Sequence, residues 1–289
     1  MPQRTKAEAL LVLVTFIWGS TFVIVKEALN DASPLVFIAI RFAAAGVLLF
    51  IVLREGPLDR RAVLPGIILG LFLFGGYIGQ TSGLNYTTPS KAAFITGFSV
   101  ILVPLIMLLR GARMHAANIA GALLGLSGIY FLVLPAGLAA VNRGDVLVLF
   151  GSMSFAAHIV LVGAYTRRFS FRHLVPLQVI TVGAVATLAL PLDRSLRLRW
   201  STGLALALLI TVLLATGFAF SVQNWAQQYT PPAHTALIFA LEPVFAALTS
   251  RLLTGERLSG KVLLGCGLIL GGMVVSELWG GSAPSPVEG

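Results

Sequence analysis

The chain has 289 residues, of which 57% are hydrophobic and 11% charged, with a formal net charge of +9. A soluble domain carries about 25% charged residues, so a water-soluble fold is excluded, and lipid is the solvent that tolerates such a surface. The Lys and Arg residues form short clusters between apolar runs, as topology signals do, with no basic stripe interleaved with aromatics; no nucleic-acid partner is expected.

Arg4 and Lys6 precede the apolar stretch Ala9–Val25. It is longer than the core of a signal peptide, with no small-residue cleavage site directly after it, and is expected to stay as the first membrane helix. Apolar runs near the roughly 20 residues needed to cross a bilayer then recur, giving ten predicted spans at 8–29, 34–53, 63–85, 90–110, 115–134, 144–166, 172–191, 203–228, 232–253 and 260–279. The links are short. Pro34, Pro89 and Pro232 stand near helix starts, where a missing N–H does little harm. The end of the chain is rich in Gly, Ser and Pro and is expected to be disordered. The one cysteine, Cys266, reads as a small packed hydrophobe and permits no intrachain disulfide.

The chain repeats itself. Gln80–Ile95 reads QTSGLNYTTPSKAAFI and Gln223–Ile238 reads QNWAQQYTPPAHTALI, which aligns Gln80 with Gln223, Tyr86 with Tyr229, Thr87 with Thr230 and Pro89 with Pro232. One register shift later Arg113 meets Arg257, Gly121 meets Gly265 and Gly128 meets Gly272, while Trp18-Gly19 matches Phe155-Ala156. The expected organisation is an all-α membrane protein of two five-helix repeats, 1–139 and 140–280, with a tail at 281–289. An odd number of spans per unit inserts the second unit upside down, the inverted-repeat plan of many secondary transporters. With the N-terminus inside, Arg4, Lys6, Arg54, Arg60, Arg61, Arg110 and Arg113 of the first half obey the positive-inside rule. The second half, with Arg143, Arg194, Arg197 and Arg199 outside, breaks it. Early helices dominate orientation, so both termini are expected in the cytoplasm.

Several short motifs carry a resemblance: Phe16-Ile17-Trp18-Gly19-Ser20-Thr21, Arg41-Phe42, Gly97-Phe98 with Val103-Pro104, Leu241-Glu242-Pro243-Val244-Phe245, and Thr254-Gly255-Glu256-Arg257-Leu258. In this order they make the chain resemble the drug/metabolite transporter superfamily, in its ten-helix EamA-type branch. The first half departs from the pattern with Gly111-Ala112-Arg113, which lacks the acidic residue of Gly255-Glu256-Arg257. The resemblance implies a bacterial inner-membrane exporter of small metabolites, amino acids including aromatic ones being nearest. Other metabolites or drugs, or a channel-like facilitator, are the alternatives.

Polar side chains inside a membrane are costly, so the faces they occupy are informative. Tyr77, Gln80, Thr81 and Leu84 share a helix face, and the repeat places Phe220, Gln223, Asn224 and Gln227 on the equivalent face of the eighth span. Gln and Asn bond a carboxylate or an amine without a buried charge; the same faces also suit hydrogen bonding between helices. Trp18, Thr21 and Val25 line the first span, with His158 the repeat-equivalent of Thr21. Phe94, Phe98 and Trp225 are aromatic candidates for an apolar substrate part, or plain packing. The candidate substrate-binding set is therefore Trp18, Thr21, Tyr77, Gln80, Thr81, Phe94, Phe98, His158, Gln223, Asn224, Trp225 and Gln227, with Glu242 and His158 as candidates for proton coupling. Arg41, about seven residues into its span, is expected to snorkel outward. Pro104 and Pro243 are candidate hinges, and the Gly66–Gly70, Gly121–Gly125 and Gly267–Gly271 pairs have the spacing of close helix contacts, within a monomer or a weak homodimer.

No HExxH, Walker A, G-x-S-x-G or Cys/His metal pattern occurs, so neither an enzyme nor a cofactor or metal site is expected. The reading is secondary transport of a small molecule by alternating access.

Overall fold

The computed structural model describes residues 3–53, 56–111, 115–133, 141–193, 195–255 and 260–279. Arg54, Arg113, Arg194, Glu256, Arg257, the tail at 281–289 and the side chain of Cys266 lie outside the described residues. Ten helices occupy the ten expected runs: α1 (Gln3–Ala28), α2 (Pro34–Val52), α3 (Arg60–Leu84), α4 (Pro89–Leu109), α5 (Ala116–Val133), α6 (Arg143–Tyr165), α7 (Phe171–Leu192), α8 (Thr202–Ala226), α9 (Pro232–Leu253) and α10 (Gly260–Trp279). All except α5 and α10 are, over the described residues, long and apolar enough to cross a membrane. Large apolar side chains such as Ile51, Leu109, Leu188 and Leu252 lie exposed on the outside of the bundle, where only lipid suits them.

The helices start where local chemistry dictates. Pro34, Pro89 and Pro232 each stand in the first turn of their helix, where no intrahelical donor is lost. Asn142 caps α6: its Oδ1 accepts from the backbone of Gly144 at 2.7 Å, and Asp145 Oδ2 accepts from the Asn142 N–H at 2.8 Å, a closed capping box.

Contacts pair helices of one half with helices of the other. α1 packs on α8 and α9, α6 packs on α3 and α4, α2 packs on α7, and α5 packs on α10. Lipid tails are as apolar as leucine, so close packing and not hydrophobic transfer holds such helices together. Glycine sets the distance where backbones nearly touch. A Cβ on Gly79 of α3 would lie 2.6 Å from the Leu147 carbonyl of α6. One on Gly19 of α1 would lie 2.6 Å from the Glu242 carbonyl of α9. Of the predicted small-residue pairs, Gly66 and Gly70 meet Leu177 and Thr181 of α7, and Gly121 and Gly125 meet Gly272 of α10. Gly267 and Gly271 have no neighbour within 4 Å of an added Cβ.

Among the described residues, three helices are irregular in mid-span. α4 breaks between Thr96 and Ser99, and α9 breaks between Phe239 and Glu242. In the register that aligns Gln80 with Gln223, these two breaks coincide. The interruption of α4 falls at Gly97-Phe98 and not at Pro104, which lies inside the following helical segment; Pro243 sits in the first turn after the break in α9. In α8 the stretch Thr211–Phe218 is π-helical.

Candidate functional site

A cavity of about 680 Å³, partly open to the outside, lies between the halves. It is lined by α1, α2, α3, α4, α6, α8 and α9, and it reaches the breaks in α4 and α9 through Thr96, Ser99, Phe239 and Glu242. Interrupted helices at matching positions of two halves mark binding sites in transporters, because the break leaves polar groups facing a cavity.

Of the residues singled out from sequence, Trp18, Thr21, Tyr77, Gln80, Thr81, His158, Gln223 and Glu242 line the cavity. Gln80 Nε2 donates to Thr96 Oγ1 at 3.1 Å, and Gln223 Nε2 donates to Gln227 Oε1 at 3.1 Å. Gln223 Oε1 is buried without a hydrogen-bond partner among the described residues. His158 Nε2 bonds Gln178 Oε1 at 2.6 Å, and Gln178 in turn donates to Asn224 Oδ1 at 3.1 Å, so one ring nitrogen is already committed to α7. Glu242 is 7% exposed and makes no hydrogen bond or ion pair with a described residue.

Five candidates stand elsewhere. Asn224 turns toward Gln178, and Gln227 is fully buried with its amide donating to the Ile159 carbonyl at 2.9 Å. Trp225 stacks near Tyr229 with Lys6 over its ring. Phe94 is buried, and Phe98 lies in the break of α4; neither borders the cavity. The face expected to run through Phe220, Gln223, Asn224 and Gln227 is thus divided, because only Phe220 and Gln223 look inward.

The reading from sequence missed Arg41. It does not snorkel: the side chain is 4% exposed and lines the cavity. Its Nε donates to Thr216 Oγ1 at 2.8 Å, and its Nη2 donates to Tyr77 Oη at 3.2 Å and to the Ala215 carbonyl at 3.3 Å. The acceptors on α8, the Thr216 hydroxyl and the Ala215 carbonyl, belong to its π-helical stretch. The Ala215 carbonyl also accepts from Trp18 Nε1 at 2.9 Å. The rings of Phe155, the repeat-equivalent of Trp18, and of Phe220, on the expected face of the eighth span, flank Tyr77 edge-on at 5.3 and 6.2 Å.

Beyond the cavity, an ion pair and a histidine–carboxylate contact occupy corresponding positions. Lys91 Nζ of α4 lies 2.6 Å from Asp145 Oδ2 of α6, and His234 Nε2 of α9 lies 3.3 Å from Glu8 Oε1 of α1. The repeat aligns Lys91 with His234 and Asp145 with Glu8. Glu8 also pairs with Arg4 at 2.6 Å. The Lys91 pair sits by the last turn of α1, where Lys26 donates to the carbonyls of Leu84 and Thr87 and Thr87 donates to Asp145. Glu8 and Lys26 stand about 27 Å apart along α1, so the two pairs bracket the molecule. On the Glu8 side, Ala7, Leu11 and Val14 are fully buried against Ala226, Ala236 and Ile238.

A model of the EamA-like transporter family matches residues 5–134 and again 142–277. A protein of Archaeoglobus fulgidus described as an uncharacterized transporter is 35% identical over 277 residues, 96% of this chain and 87% of its own. An uncharacterized inner membrane transporter of Escherichia coli K12, YedA, is 28% identical over 276 residues, 91% of this chain and 87% of its own. A solved crystal structure superposes with a TM-score of 0.73 over 94% of this chain and 97% of that one, at 21% identity, and so shares the fold.

Proposed function

The chain belongs to the EamA-like transporter family, and from that premise we propose a secondary carrier that exports amino acids, aromatic ones included, by alternating access. The observation that carries this reading is the cavity, bounded by helices broken at matching positions of the two halves. Tyr77, Phe155 and Phe220 offer an apolar aromatic wall, Gln80 and Gln223 offer amides, and Glu242 offers a carboxyl, without a partner among the described residues, that suits an ammonium group or a transported proton.

Alternating access needs two closures that are not engaged in the same way at once. Ala7, Leu11 and Val14 are fully buried at the Glu8 end, and the Lys91–Asp145 and His234–Glu8 contacts, both formed here, stand at the two ends where such closures would act. The double match of the family model and the reciprocal packing of α1 on α9 and α6 on α4 support a duplicated, inverted design. The basic clusters of the first half support an orientation with both termini in the cytoplasm.

The test is uptake into proteoliposomes from a panel of labelled amino acids, with sugars, nucleosides and cationic drugs beside them. Saturable uptake of aromatic or branched amino acids, reduced by Gln80→Ala and Gln223→Ala, supports the reading. Uptake confined to another class, or unchanged in both variants, contradicts it.

A further inference from the structure

We propose that Arg41 is the residue that recognises the carboxylate of the transported molecule, and that the π-helical stretch of α8 exists to present it. This deepens the reading of the cavity as a carrier site and rests on it. Three observations meet at Arg41. The guanidinium is 4% exposed, within a membrane-spanning helix, and has no acidic partner among the described residues. A buried charge in a bilayer is expensive and is retained where it has work to do. Its acceptors are all neutral, one threonine hydroxyl, one tyrosine hydroxyl and one backbone carbonyl.

The donors can be counted. A guanidinium has five N–H groups. Nε and both hydrogens of Nη2 are engaged by Thr216, Tyr77 and Ala215, and those of Nη1 meet no acceptor among the described residues. The side chain lines the cavity, so the unengaged donors are available to a ligand there. The guanidinium carbon lies 4.7 Å from the centroid of Tyr77 and 5.1 Å from that of Phe42, against two rings that themselves touch at 4.8 Å. Such a fixed, planar, weakly hydrated cation prefers carboxylate to a neutral acceptor. A ligand bearing a carboxylate supplies the missing countercharge; an amide of the same shape does not.

The positioning is built by the fold. The π-helical stretch Thr211–Phe218, a geometry frequent at functional sites, carries the Ala215 carbonyl that accepts from both Arg41 and Trp18. Glu242 lines the same cavity, and Arg41 and Glu242 together select a ligand carrying both a carboxylate and an amine.

The test measures binding to the purified full chain in detergent by calorimetry, with three probes: L-phenylalanine, 3-phenylpropionate, which keeps the carboxylate but lacks the amine, and L-phenylalaninamide, which keeps the amine but lacks the carboxylate. L-Leucine and its amide repeat the comparison for an aliphatic side chain. The wild-type protein is expected to bind the acids at least about ten-fold more tightly than the amides, the scale of a hydrogen bond to a charged group. Arg41→Gln is expected to bind acid and amide alike, and Arg41→Lys to keep a preference reduced several-fold. The wild-type acid-to-amide ratio alone decides if Arg41→Gln does not fold. Binding of 3-phenylpropionate with rejection of both amino acids overturns the amino-acid reading and leaves Arg41 as the carboxylate site. Equal binding of acids and amides by the wild-type protein, an acid preference that survives in Arg41→Gln, or no binding of any acid overturns the assignment.

Discussion

Lys91 and Asp145 are 54 residues apart in sequence and 2.6 Å apart in space, where they join the start of α4 to the start of α6. Asp145 also accepts from Thr87 at 2.8 Å and closes the cap of α6. The pair is only slightly exposed, which sets its strength between an exposed ion pair and a fully buried one. Lys91→Met is expected to lower stability by about 1–3 kcal/mol, and Lys91→Met with Asp145→Asn to recover part of that loss. Thermal unfolding in detergent reads both in a double-mutant cycle. A coupling below about 0.3 kcal/mol would make the pair ornamental.

Glu242 presents the opposite case, a buried carboxyl with no described partner. Its replacement breaks no ion pair, so Glu242→Gln is expected to fold with an unfolding temperature close to the wild type. Transport of amino acids is expected to fall about ten-fold or more, as for a lost charged hydrogen bond to ligand. Initial rates in proteoliposomes, set against the unfolding curve, separate the two effects. Unchanged transport would remove Glu242 from the site.

Gly79 tests the packing. Its Cα faces the backbone of Leu147 and Gly151, and there is no room for a side chain. Gly79→Val is expected to push α3 from α6 and to destabilise the fold by about 1–3 kcal/mol. A fully stable Gly79→Val protein would mean that the α3–α6 contact yields without cost.

The loop before α2 is tied to the loop before α8. Ser33 N–H donates to the Arg197 carbonyl and Arg199 N–H to the Asp31 carbonyl, each at 2.8 Å. Hydrogen bonds from Ser201 and from Arg199 hold the Asp31 carboxyl below its ordinary range. A lowered folded value means that this contribution is present above the unfolded value of about 3.9 and is lost as pH falls through the folded one. Backbone hydrogen exchange at 29–33 and 197–201, corrected for intrinsic rates, is expected to stay slow from pH 7 to 5 and to quicken in strong acid. Asp31→Asn is expected to exchange faster throughout. Protection that ignores both pH and the substitution would contradict the tie.

The spans, their order and much of the cavity were legible in the sequence, because hydropathy and the repeat of Gln80–Ile95 are local patterns. Gln80 and Gln223 were found by that repeat and both line the cavity. Asn224 and Gln227 were grouped with them on helical spacing, which says that residues share a helix face but not how wide the cavity is; α7 and the Ile159 carbonyl claim them instead. Arg41 was missed because long side chains commonly reach the membrane surface. Its depth of about 10 Å along α2 was a usable signal. Two of its three acceptors, however, come from a π-helical stretch 174 and 175 residues away, which periodicity does not reveal. Of the two hinges expected from sequence, Pro243 stands beside the break in α9, whereas Pro104 pointed to the wrong place in α4, which breaks at Gly97-Phe98.

Whether the chain is a carrier worked from this cavity is decided by counterflow. Proteoliposomes preloaded with unlabelled phenylalanine are expected to take up labelled phenylalanine several-fold faster than empty ones, and Gln223→Ala and Glu242→Gln are expected to lose that acceleration while remaining folded. Uptake that is indifferent to the internal amino acid would identify a channel-like path, and acceleration preserved in both variants would place the binding site somewhere other than this cavity.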